Sequence, residues 1–138
     1  MAVGRNIGAG IAGVIVAIAL VWVVEFAGHS IYPPPADLDL GNSDVMRAYI
    51  DTLPLGALLT VAIAWFVGSL GGCFVACRLG SARPLVYALV VGGVMFAGAV
   101  FSLLIIPHPL WFSALGIVGI FVGAWLGMTL GRSRITTK

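Results

Sequence analysis

Residues 7–26 read Ile-Gly-Ala-Gly-Ile-Ala-Gly-Val-Ile-Val-Ala-Ile-Ala-Leu-Val-Trp-Val-Val-Glu-Phe, with one ionisable side chain, Glu25, near the end. About 20 apolar residues in a helix rising ~1.5 Å each match a hydrocarbon core ~30 Å thick. A secretory signal peptide is the competing reading, because Arg5 precedes the apolar run. Its apolar core would be too long, and no small-residue cleavage pattern follows. The stretch therefore predicts a retained first transmembrane helix.

The rest of the chain repeats this pattern. Apolar runs at about 53–77, 85–106 and 110–131 are separated by short breaks. Arg78 with Gly80-Ser81 closes the second run, and Pro107-His108-Pro109 forces a reversal between the third and fourth. Of 138 residues, 61% are hydrophobic and 9% charged, far below the roughly 25% charged residues of an average soluble domain. Such a chain cannot cover itself with polar groups, so its outer surface faces lipid. The expectation is an all-α integral membrane protein. It would be a single four-helix membrane domain over residues 1–138, with an outer loop at 27–52 and the lipid bilayer as its surroundings. A net charge of +2 with no concentrated basic face argues against nucleic acid as a partner.

Charge predicts orientation. Helix ends alternate sides, so the N-terminus, the 78–84 turn and the C-terminus share one. Those places hold Arg5, Arg78, Arg83, Arg132, Arg134 and Lys138, leaving Arg47 on the other side with all five acids. The excess of Lys and Arg in cytoplasmic segments then puts both termini inside, in a bacterial inner membrane if the source is bacterial.

The long outer loop holds most of the polar chemistry. Pro33-Pro34-Pro35 should be extended, since each proline fixes φ and disfavours helix for the residue before it. Asn42 or Ser43 can cap a short helix to about Leu53 with Val45, Met46, Tyr49, Ile50 and Leu53 on one face. That amphipathic helix would lie on the membrane surface or lead into the next span. The segment from Asp37 to Asp44 resembles a calcium loop only loosely; its glycine is one place early and the terminal glutamate is absent.

Small residues supply the expected packing. Without a hydrophobic force between lipid-solvated helices, close backbone approach holds them together. Gly68 and Gly72 belong to a four-residue-spaced stripe in the second span, and Gly119, Gly123, Gly127 and Gly131 form another in the fourth. These stripes either pack the helices of one chain or present a face to a second copy or another membrane protein.

Glu25 and His29 are four apart, on one helix face, and His108 lies at the other outer turn. With Asp37 and Asp39 these are the candidate ligands for a divalent metal; apart from that, no cofactor is expected. The plainer reading is a hydrogen-bonded cluster with Glu25 paired to His29 or Arg47. Cys73 and Cys77, four apart in an apolar run, read as packing residues. No nucleophile motif, P-loop, HExxH, CxxC or CxxCH is present, so nothing here points to an enzyme.

The pattern from Glu25 to Pro35 (E-x-x-G-H-x-x-Y-P-P-P), an Asp-rich loop, and Pro107 to Phe112 (P-H-P-L-W-F) resembles a group of small uncharacterised four-transmembrane-helix bacterial membrane proteins. That resemblance implies topology and no assigned activity. Two functions follow as expectations: a structural or accessory subunit associating through its glycine stripes with itself or a larger membrane complex, or a small oligomeric cation or metal transporter with an outer-face Glu/His site.

Overall fold

A computed structural model describes residues 2–132. The basic residues Arg134 and Lys138 of the tail lie outside the described residues. Within them the chain forms five helices: α1 (Ala2–Ile31), α2 (Ser43–Thr52), α3 (Leu55–Leu79), α4 (Pro84–Ile105) and α5 (Leu110–Gly131). All but α2 are long and apolar enough to cross a membrane, the architecture of an integral membrane protein.

Helix α1 is longer than its apolar run. It starts at Ala2 rather than residue 7 and ends at Ile31 rather than residue 26. Thirty residues extend about 45 Å, well beyond the hydrocarbon core. The i→i−4 ladder does not stop where apolarity stops, because Arg5, Asn6, Glu25 and His29 are good enough helix residues at a wet interface. Proline stops it instead: the Tyr32 N–H still donates to Gly28 O at 2.8 Å, and Pro33 follows.

The short helix α2 is capped by Asn42, whose Oδ1 accepts from the N–H groups of Asp44 and Val45 at 3.0 and 3.2 Å. Met46 and Ile50 are buried against the bundle, while Asp44, Arg47 and Asp51 are exposed. Val45, on the same face in the sequence reading, is exposed. Leu53 leaves helical geometry at ψ 136° and Pro54 opens α3, so α2 and α3 are separate helices.

Helix α3 is the centre of the bundle, packed most extensively on α1 along one side and on α5 along another. Glycine makes both crossings close. A Cβ at Gly72 would stand 2.6 Å from Gly13 O and 2.7 Å from the Ala17 methyl, and one at Gly68 would stand 2.9 Å from Ala17 O. On the other side, a Cβ at Gly123 would meet Phe66 O at 2.5 Å and one at Gly131 would meet Phe74 O at 2.8 Å. Gly127 sits against Leu70 O, whereas Gly119 has ordinary room beside Phe66. The small residues of α3 and α5 thus face partners within the same chain, with backbone against backbone. Cys73 and Cys77 fill this α3–α5 crossing as free thiols. Gly4, Gly8, Gly93 and Gly98 instead have nothing within 4 Å of a built Cβ and look outward.

The end of the bundle that carries Arg5 and Arg83 is tied by one side chain. Asn6 Oδ1 accepts from Ser81 N at 2.9 Å, Ser81 Oγ at 3.0 Å, Ala82 N at 3.2 Å and Tyr87 Oη at 2.8 Å. These bonds hold the start of α1 to the α3–α4 turn. Tyr87 is buried beneath Gly80, where any side chain would collide with its hydroxyl.

Candidate functional site

At the opposite end, the two remaining connections and the ends of the helices enclose a cavity of about 340 Å³. Glu25, Gly28 and His29 enter from α1, and Tyr32 from just beyond it. Met46, Tyr49 and Ile50 enter from α2, and Leu58, Thr60 and Val61 from α3. Ile106 and His108 enter from the α4–α5 turn. The walls are mostly apolar, with a few polar groups converging on them, the usual composition of a small-molecule site.

Local structure places each polar group. Glu25 and His29 follow α1 past its apolar run, on the face that meets Thr60 of α3 through Gly28. A Cβ at Gly28 would strike the Thr60 methyl at 2.5 Å, so glycine is what lets α1 and α3 close beneath the cavity. The Thr60 hydroxyl is already committed, donating to Gly56 O at 2.8 Å. Tyr32 lies over Gly56, which has no side chain to obstruct the phenol.

His108 is held from two sides. Its Nδ1–H donates to Ile106 O at 2.9 Å, which leaves Nε2 with its lone pair in the neutral ring. The imidazole stacks on Phe112 with centroids 4.6 Å apart, and Phe112 meets the Trp65 indole edge-on at 5.5 Å. Gly116 leaves the space that the Trp65 ring occupies. Burial pushes the His108 pKa below the usual histidine value of 6.5, and the hydrogen bond to Ile106 offsets only part of that.

The five candidate metal ligands are not brought together as a set. Glu25, His29 and His108 share the cavity, while Asp37 and Asp39 lie outside it on an exposed turn. Asp39 Oδ1 accepts from the Gly41 N–H at 3.0 Å, the local turn bond that aspartate favours in such loops. Among the described residues no group of three or more His, Cys, Asp and Glu is placed to hold a metal ion. No salt bridge within 4.0 Å joins Glu25 to His29 or to Arg47, although His29 is near enough for its charge to act on Glu25. Arg47 points away on the exposed face of α2, as helical spacing from Met46 and Ile50 requires.

Neither a family model, nor a curated protein, nor a solved structure matches this chain. Function therefore rests on the geometry. Glu25 is a half-buried carboxylate in a mostly apolar cavity, with no salt bridge among the described residues and His29, one turn along α1, as the neighbour whose charge acts on it. A charge so placed is costly unless something supplies the opposite sign. Tyr32, Tyr49 and Thr60 were missed as site residues in the sequence. Tyr49 reads there only as one of an apolar face, and Tyr32 and Thr60 stand at opposite ends of the long outer loop, with no local spacing to link them.

Proposed function

We propose that this protein binds a compact lipophilic cation in the cavity at its acidic end, at the boundary between membrane and water. The observation that carries this reading is the Glu25 carboxylate, without a salt bridge among the described residues, in a mostly apolar cavity beside His29 and His108. A ligand with one positive group and an apolar body satisfies both the charge and the walls. Binding fits better than passage through the chain. The deepest cavity residues on α3 are Thr60 and Val61, and one turn further in Ala64 and Trp65 are buried in packed core. The proposed topology has both termini cytoplasmic, so the cavity opens outside, in the periplasm of a bacterial inner membrane. In that setting α2 is an amphipathic helix at the outer surface.

The test compares phenethylammonium with the neutral 2-phenylethanol, using protein in lipid nanodiscs. Wild type should prefer the cation by about tenfold, the worth of ~1.4 kcal/mol. Glu25→Gln should bind both alike. Equal binding by wild type, or none of either, removes the reading.

A second reading, an accessory subunit of a larger membrane complex or of a homo-oligomer, is favoured by a different observation. Gly4, Gly8, Gly93 and Gly98 face outward with open space before them, which suits a neighbouring helix. Association would use these residues and not the stripes of α3 and α5. Native mass measurement in native lipid tests it: a lone monomer ends this reading and leaves the first untouched.

A further inference from the structure

A second concavity lies at the other end of the molecule, between α1 and α4. Its volume is about 560 Å³ and its lining is almost wholly apolar. On α1 it runs from Val3 to Ile15, and Val86 and Val90 border it on α4. These four rims are exposed, whereas the floor, Gly10 and Tyr87, is buried. The twelve helical steps from Val3 to Ile15 cover about 18 Å, close to the half-thickness of a hydrocarbon core of ~30 Å. The groove is therefore as long as one leaflet is deep, and it begins at the polar end of that leaflet.

The polar end is marked by charge. Asn6 and Ala82 line the groove at this end and are bonded to each other, and Arg83, the next residue after Ala82, stands three, four and seven residues before Val86, Tyr87 and Val90, on the groove side of α4. Arg83 is exposed and takes part in no salt bridge among the described residues. Arg5 is exposed too, but it lies two residues from both Val3 and Ile7, on the face of α1 opposite the groove. Arg78 differs, because its guanidinium lies over the Phe74 ring at 5.4 Å. All five acids are elsewhere, at Glu25 and beyond it through Asp51. An unpaired cation at the head of a leaflet-deep apolar groove matches one molecule's chemistry: an anionic head on a long acyl tail.

We infer that the α1–α4 groove seats one anionic phospholipid, its acyl chain along Gly10 and Tyr87 and its phosphate at Arg83. The bonds on Asn6 keep the corner rigid, so Arg83 stays at a fixed place relative to the groove. This site is separate from the cation cavity and stands or falls without it.

Native mass spectrometry of detergent-solubilised protein, with added palmitoyl-oleoyl phosphatidylglycerol or phosphatidylcholine, tests the inference. A basic residue near an anionic surface contributes about fivefold in affinity. Wild type should therefore retain one phosphatidylglycerol per chain roughly fivefold more strongly than phosphatidylcholine. Arg83→Gln should bind the two lipids equally, whereas Arg5→Gln should keep the preference. Gly10→Phe should lose both, because a Cβ there meets only Val90 at an ordinary 3.9 Å and a larger ring fills the groove without displacing a helix. Thermal unfolding checks that the variants fold, and Arg83→Gln decides the head group even if Gly10→Phe does not. Equal retention of the two lipids by wild type, an undiminished preference in Arg83→Gln, or a dimer burying this face in place of lipid would each overturn the site.

Discussion

The two ends of this bundle treat their polar side chains in opposite ways. At the arginine-bearing end a single amide, Asn6, takes up the donors of Ser81, Ala82 and Tyr87, so the uncharged polar groups there are used to close the fold. At the acidic end Glu25 has no salt-bridge partner among the described residues, His108 keeps one ring nitrogen open, and a cavity separates them from the wall of α2. A polar group in a membrane protein can stabilise structure or meet a ligand, and the difference shows in whether its valences are filled. By that criterion a cluster of ionisable residues is not enough; the cavity beside them is the functional signal.

The contrast exists only while the middle of the bundle holds, so the largest effect is expected there. Gly72→Leu must push α1 off α3, since the new side chain would begin 2.6 Å from Gly13 O. It should cost about 3 kcal/mol, read by unfolding in mixed micelles, and abolish features at both ends. Gly93→Ala, with open space at its Cβ, should leave stability unchanged or raise it by about 0.5 kcal/mol. The closed end comes next. Asn6→Leu strips an acceptor from Ser81, Ala82 and Tyr87 and should cost about 2 kcal/mol, while Asn6→Asp keeps the acceptor and most of the stability. Equal losses for the two variants would deny that acceptance is what matters.

At the open end the effects are smaller and local. Asn42→Ala should weaken α2 by about 1 kcal/mol, seen as faster hydrogen exchange over residues 43–52 with α3 unchanged. The smallest effect is a slope with pH. Because the folded-state pKa of His108 lies below 6.5, the unfolded chain takes up this proton first as pH falls. The contribution of His108 is therefore full above about pH 6.5, declines as pH drops through that value, and levels off below the folded pKa. Unfolding temperatures at pH 7.5 and 5.5 should differ more in wild type than in His108→Gln.

The four apolar helices were legible because each is an uninterrupted apolar run ended by proline, glycine or arginine, and lipid imposes that pattern on any crossing segment. The ends of α1 were not, because Arg5 and Glu25 interrupt apolarity without interrupting the helix. Of the site, Glu25, His29 and His108 could be picked out as scarce ionisable residues in an apolar chain. That Asp37 and Asp39 stay outside the cavity follows from a local bond at Gly41, which competes with any distant ligand. The Asn6 cluster spans 75 to 81 residues of sequence, and no periodicity or motif reports such a meeting.

The central position of α3 also sets an order of events. When α1 emerges from the ribosome it carries Glu25 and His29 but has nothing to lie against, for its main partner is still unmade. The segment with α2 follows, and only α3 gives α1 a surface. The turn that contributes His108 is synthesised later still, just ahead of α5. The cavity is thus completed last, so a chain halted after α3 would own two of its three ionisable groups and no enclosed space to hold them around.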